Sequence, residues 1–257
     1  MSEQQNEISI ALVQTDLAWK DKVANLNKIG QLVMTIKEPI EMIVLPELFN
    51  TAFCVDDSSL AENMHGESIS FLKEISKQQN CAICGSLLIH ESEKVYNRFV
   101  FVVDGEILFT YDKHYLFSLV IENQFLQAGT QKVTHEYKGW KIQPFICYDL
   151  RFPAWCQNNE LADIQIYVAS WPTKRIHHWQ TLLRARAIEN QCYTVGVNRT
   201  GKDGYGNAHN GHSCVFDFTG NTCCDMTEKN GIEIVKLSAT ALSEHKERYP
   251  FWKDRLK

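Results

Sequence analysis

The chain has 257 residues, 44% of them apolar and 22% charged, which suits one large globular domain over residues 1–257. A formal charge of −5 and a pI near 6.0 supply no basic field, which argues against a nucleic-acid partner. The longest apolar runs fall far short of the ~20 residues that a membrane span needs, and polar, acidic residues 1–7 do not read as a signal peptide. A soluble, cytoplasmic protein is expected, whose nine cysteines are reduced thiols rather than a disulfide framework.

Strand and helix patterns alternate along the chain with no linker, repeat or low-complexity stretch. Residues 8–14 form a first strand, after which Val23, Leu26, Ile29, Val33 and Ile36 recur at helical spacing. Residues 42–45 are the next strand, closed by Pro46 and followed at once by the carboxylate of Glu47. Ile69, Leu72 and Ile75 mark a helix, and residues 81–88, 99–103 and 107–111 read as three strands. Asp104-Gly105 sits between two of them as a hairpin signal, so antiparallel strands join parallel ones.

The run Phe145-Ile146-Cys147-Tyr148-Asp149-Leu150-Arg151-Phe152-Pro153 carries the most information. Residues 142–147 suit a short buried strand ending at a thiol, while Pro153 is pre-set for the first turn of a helix over residues 154–159. A sharp strand-to-helix turn would present Cys147 at a sheet edge, with the Tyr148 backbone N–H free to face a developing oxyanion. Residues 164–169 form another buried strand, and Trp179, Leu182, Leu183 and Ala187 share one helix face. Strands near residues 193–198, 213–218 and 232–237, then a helix from about Ala239, complete the pattern. Two mixed sheets packed face to face, with helices outside, would bury every apolar face.

Three reactive residues thus follow three strands: Glu47, Lys113 and Cys147. Sites in α/β sheets gather beyond the carboxyl ends of strands. A thiol is mostly protonated at neutral pH, so a carboxylate that takes its proton and an ammonium that stabilises the resulting charge form a workable set. Other motifs carry less. Cys81-Ala82-Ile83-Cys84 lies in a strand pattern where thiols three apart face opposite sides, and adjacent His177-His178 point apart on a helix. No metal site is expected. Residues 201–207 read as a flexible turn that could border the pocket.

Leu45-Pro46-Glu47-Leu48-Phe49, Tyr111-Asp112-Lys113-His114-Tyr115-Leu116-Phe117 and Cys147-Tyr148-Asp149-Leu150-Arg151-Phe152-Pro153 resemble the three signature segments of the carbon-nitrogen hydrolase (nitrilase) superfamily. The resemblance runs from Ile8 to about Trp252. It implies a four-layer αββα sandwich, a Glu47–Lys113–Cys147 catalytic triad, no metal or organic cofactor, and a homodimer. Glu122, seven residues before Gly129, matches the place of a second carboxylate that would hold Lys113 and orient substrate or water.

Within that superfamily, Ala169-Ser170-Trp171-Pro172, residues 178–191 and Gly196-Val197-Asn198-Arg199-Thr200-Gly201 are similar to the omega-amidase branch. That implies hydrolysis of the terminal amide of 2-oxoglutaramate or 2-oxosuccinamate, with other C–N hydrolases (aliphatic amidase, N-carbamoyl amidohydrolase, nitrilase) as the alternative. A carboxylate-bearing substrate calls for a cation. Arg175, beside Trp171, is the candidate, since a guanidinium grips a carboxylate bidentately; Arg151 and Lys174 are its rivals.

Overall fold

The computed structural model describes residues 6–120 and 122–255. The first half contains β1 (Glu7–Gln14), α1 (Lys22–Val33), β2 (Met42–Val44), α2 (Glu67–Gln79), β3 (Ala82–Glu91), β4 (Lys94–Val103) and β5 (Glu106–Asp112). A single helical turn, α3 (Glu122–Phe125), leads into β6 (His135–Tyr137), β7 (Trp140–Ile146), α4 (Pro153–Cys156), β8 (Ile164–Ala169), α5 (Ile176–Asn190) and β9 (Tyr193–Asn198). Next come the short ribbon β10 (Thr200–Lys202) and β11 (Ala208–Asn210), then β12 (Cys214–Phe216), β13 (Thr222–Asp225), β14 (Gly231–Ser238), α6 (Ala239–Arg248) and α7 (Trp252–Arg255).

These strands make two six-stranded sheets, ordered β14-β1-β2-β3-β4-β5 and β13-β12-β9-β8-β7-β6. Each has a parallel centre, β1-β2-β3 and β7-β8-β9, with antiparallel strands on both sides. The alternation of side chains along β1 shows why two layers of sheet need helices outside. Ile8, Ile10 and Leu12 face the other sheet and join Trp140, Phe145, Ile166 and Val195. Ala11 and Val13 point the opposite way, onto Leu26 and Ile29 of α1 and Leu72 of α2. Both faces are buried, so residues 10–13 read as a continuous apolar run instead of an alternating one. The αββα sandwich follows from that double burial.

Several local expectations hold for identifiable reasons. Asp104 and Gly105 take φ of 50° and 75°, the two left-handed residues of a tight hairpin turn between β4 and β5. Cys84 packs between the sheets while Cys81 packs toward the helices, so the two thiols occupy opposite layers. The helix after Pro153 is shorter than the sequence pattern indicates and stops at Cys156. Asn158 explains the stop, because its side chain bonds Ala162 through both its nitrogen (2.8 Å) and its oxygen (2.6 Å) and folds the chain into a turn. β6, β10, β11 and β13 have three or four residues each, too short for periodicity to reveal.

The turn that carries Glu47 hangs from β3. Leu45 N–H donates to the Cys84 carbonyl (2.8 Å), Leu48 N–H to Ser86 Oγ (3.0 Å) and Phe49 N–H to the Ser86 carbonyl (3.3 Å). Gly85 makes this approach possible: a β-carbon there would stand 2.9 Å from both Leu45 Cβ and Phe49 Cδ1. Gly85→Ala is therefore expected to destabilise the protein by about 1–3 kcal/mol. Urea unfolding checks this, and an unchanged midpoint would contradict the close packing.

Candidate active site

Three turns bring the reactive residues together. Glu47 lies three residues past β2, and Lys113 directly follows β5, extending its ladder through Lys113 N–H to the Asn97 carbonyl at 2.9 Å. Cys147 lies one residue beyond β7, at the head of a 3₁₀ turn spanning Cys147–Arg151. Its φ of 45° is a left-handed conformation that a non-glycine residue adopts only when its surroundings enforce it.

Buried Asp149 does the enforcing. Its carboxylate accepts from Ile146 N–H (3.0 Å), Tyr115 N–H (2.8 Å) and the Tyr111 hydroxyl (2.7 Å), which receives Trp155 Nε1–H at 3.0 Å. Both sides of the elbow, and the segment just past Lys113, are thus tied to one side chain.

Glu47, Lys113 and Glu122 are completely buried. Lys113 Nζ lies 2.9 Å from Glu47 Oε1 and 2.9 Å from each oxygen of Glu122. Glu47 also accepts from Asn97 Nδ2 (2.9 Å) and, through Oε2, from the Ser170 backbone N–H (2.8 Å). Glu122 accepts from Phe117 N–H at 2.6 Å. Every carboxylate oxygen in the cluster therefore has a donor, which is the condition under which charges persist out of water.

The electrostatics divide the labour. Burial pulls the Lys113 ammonium down, but the Glu122 and Glu47 carboxylates outweigh it and hold the proton on. Burial raises Glu122, with Lys113 pulling it back and Glu47 pushing it further up. The Cys147 thiol is pushed well above its ordinary value by burial and by the neighbouring Glu47 charge, with Lys113 opposing. At rest Cys147 is therefore a thiol with a carboxylate beside it. All three Lys113 protons have carboxylate oxygens in reach.

Cys147 opens into a cavity of about 250 Å³. Phe53 and Phe117 give it an apolar wall, and Tyr148, Ser170, Trp171 and two arginines are among its other lining residues. Arg175 lies 5.5 Å over the Phe117 ring and Arg151 4.8 Å over the Trp171 ring. Among the described residues neither is in an ion pair, and Arg151 is lowered by burial and by the Arg175 charge. Two cations held together with aromatic stems and no carboxylate partner make a place for an anion. Trp171 is fixed through its N–H to Asn198 Oδ1 (2.7 Å) and its Nε1–H to the Arg175 carbonyl (2.8 Å).

The structure thus gathers Glu47, Lys113 and Glu122 in one buried cluster and sets Cys147, Tyr148, Trp171 and Arg175 on the adjoining cavity wall. Sequence reasoning missed Asn97, Ser170, Asp149 and His209. Asn97 is followed directly by Arg98 in β4, so no local pattern singled it out. Residues 203–207, read as a turn, supply Asp203, Tyr205 and Asn207 to the cavity. Among the described residues no group of three or more His, Cys, Asp or Glu side chains is placed to hold a metal ion.

Comparison with known proteins identifies the family. The carbon-nitrogen hydrolase family model matches residues 9–246, from β1 into α6. The chain belongs to the carbon-nitrogen hydrolase family. It is similar to omega-amidase YafV of Escherichia coli K12, with 38% identity over 96% of each chain, and to the 2-oxoglutaramate amidase of Bacillus subtilis 168, with 31% identity over 96% of each. Its fold matches the crystal structure of XC1258 from Xanthomonas campestris, a CN-hydrolase superfamily protein, at a TM-score of 0.94 and 35% identity over 97% of each chain. Both six-stranded sheets of this carbon-nitrogen hydrolase come from residues 7–238.

Asp149 offers a test of how the elbow is held. Burial pushes its carboxyl up from 3.8 to about 6, against the three donors. A raised folded-state value means the folded chain binds this proton more tightly. The associated stability is full below about pH 4 and is lost as pH rises through about 6. Asp149→Asn cannot titrate and turns an amide N–H₂ toward existing donors. The variant should be less stable at pH 7 by about 2 kcal/mol, and its deficit should widen by on the order of 1–3 kcal/mol on going to pH 4. Urea unfolding at both pH values measures this, and a gap that narrows toward acid would contradict the account.

Proposed function

We propose that the chain is an omega-amidase that hydrolyses the terminal amide of 2-oxoglutaramate or 2-oxosuccinamate, giving the 2-oxo dicarboxylic acid and ammonia. The observation that carries the reading is the pairing of Arg151 and Arg175 in the same cavity as the thiol, which suits an amide whose far end is a carboxylate. Full-length similarity to proteins named omega-amidase and 2-oxoglutaramate amidase supports the same substrate class. A cavity of about 250 Å³ is at the small end for ligand sites and fits a short acid.

In this reading Arg175 grips the substrate carboxylate, with Arg151 beside it and Trp171 bordering the chain. Glu47 takes the thiol proton as Cys147 Sγ attacks the amide carbon, and the tetrahedral oxyanion rests on the Tyr148 N–H and the Lys113 ammonium. Glu47 returns the proton to the leaving nitrogen as the C–N bond breaks. A water molecule, activated by the same carboxylate, then attacks the thioester carbon, and the thiol regains its proton. Glu122 holds Lys113 in place through both steps, so its charge sets the position of the oxyanion donor. Among the described residues no helix is long and apolar enough to cross a membrane. A cytoplasmic homodimer completes the proposal.

Cys147→Ala is expected to abolish turnover while leaving the unfolding midpoint near wild type. Retained amide hydrolysis in that variant would remove Cys147 as nucleophile. Arg175→Met should raise KM for 2-oxoglutaramate about ten- to a hundredfold with a smaller change in kcat, as expected for loss of a charge-assisted contact made in ground and transition states alike. An unchanged KM would transfer the carboxylate to Arg151. Steady-state assays against 2-oxoglutaramate, 2-oxosuccinamate, an aliphatic nitrile and an N-carbamoyl amine test the substrate class, and a higher kcat/KM for either of the last two would overturn it.

A further inference from the structure

His209, on β11, forms part of the cavity wall and has no part in the mechanism above. The residue is 6% exposed, and its Nδ1 is a buried polar atom without a hydrogen-bond partner. Its Nε2 lies 3.3 Å from Asp203 Oδ2. A buried, unpartnered ring nitrogen in a ligand cavity costs free energy in the empty protein, and a bound molecule can repay that cost.

The surroundings determine which ligand chemistry suits it. Asp203 accepts from Tyr205 N–H (3.0 Å), Asn207 N–H (2.8 Å) and Asn207 Nδ2 (3.0 Å), donors that keep it an anion below its ordinary value despite burial. The Trp171 carbonyl lies beside the imidazole as well. The ring therefore faces oxygen acceptors, an environment that suits imidazolium. Burial and the Arg199 guanidinium, which is buried and bonded to the Leu17 carbonyl at 2.9 Å, oppose the charge and hold His209 below its ordinary value. β11 packs against the turn Thr173–Arg175, so His209 shares its stretch of wall with the cation assigned to the substrate acid. The charged and titratable groups around the ring are Asp203 and Tyr205 of its own ribbon, Arg199, Arg175 of the facing turn, and Arg151 and Cys147 elsewhere on the cavity wall.

We propose that His209 is the third member of the anion-binding group: when a carboxylate-bearing amide enters, the ring takes a proton from solvent, Nδ1–H donates to the acid end of the substrate, and Asp203 holds Nε2–H. The assignment rests on the omega-amide reading and adds that acid recognition is linked to a proton. The cavity wall would then present three cations, Arg151, Arg175 and His209, to the acid end, where the empty protein presents the two arginines. Nδ1 would gain a full hydrogen-bond partner in the complex, which places the preference for acidic amides in binding.

The test is calorimetric. 2-Oxoglutaramate is titrated into the full-length Cys147→Ala protein at pH 7 in two buffers of different ionisation enthalpy. Net uptake approaching one proton per bound ligand is expected, because a histidine held below its ordinary value near 6.5 is mostly neutral at that pH until the complex forms. The same titration in Cys147→Ala/His209→Gln should show no uptake. In otherwise wild-type enzyme, His209→Gln should raise KM about ten- to a hundredfold with kcat within about threefold, the loss of one charge-assisted contact. Binding without proton uptake, or uptake that persists in the double variant, overturns the proposal even if the wild-type enzyme turns over 2-oxoglutaramate. Failure of the wild-type enzyme to hydrolyse that substrate removes the omega-amidase reading and this inference with it.

Discussion

The Lys113 ammonium, sealed from water between Glu47 and Glu122, is the constraint on which the site depends. A lysine buried alone would lose its proton; one carboxylate on each side keeps the charge and fixes its place. The arrangement is costly to assemble, because three charges leave water together, and it is stable only if every oxygen is also bonded. Asn97, Ser170 and the Phe117 N–H meet that requirement. Breaking such a cluster at one member leaves an uncompensated charge worth roughly 3–5 kcal/mol, so the site and the sandwich stand or fall together.

The contacts also explain why two sheets are needed. Glu47 and Lys113 follow strands of the first sheet, whereas Cys147 and Ser170 follow β7 and β8 of the second. The bond from Ser170 N–H to Glu47 spans 123 positions in sequence and joins the sheets at the reacting centre. Ridge-to-ridge packing of Ile10, Leu12, Phe145 and Ile166 sets the distance between the layers, and that distance puts thiol and carboxylate within reach. A shift of one residue in β7 would turn Cys147 away, which is why its elbow is clamped by Asp149 from both sides.

How far the site was legible in sequence follows from how local each cue is. Glu47, Lys113 and Cys147 each sit just past an apolar run, so a strand-end reading found them without knowledge of the partners. Glu122 belongs to a single turn of helix and was legible only through the family resemblance. Ser170 acts through its backbone N–H, which no side-chain pattern announces. Asn97 gains meaning only through Glu47, fifty positions away, and His209 only through the cavity it borders. The layers themselves were readable because doubly buried strands are predominantly apolar, while the ribbon β10-β11 was too short to have a period.

Cys147 is one of nine thiols in the chain, so the central claim is best tested by asking which of them carries the acyl group. Enzyme mixed with 2-oxoglutaramate, quenched in acid within a turnover and weighed intact should show a gain of one acyl unit. Peptide mapping should place it on Cys147 alone. An adduct on another cysteine, or turnover with no covalent species at any quench time, would contradict the account.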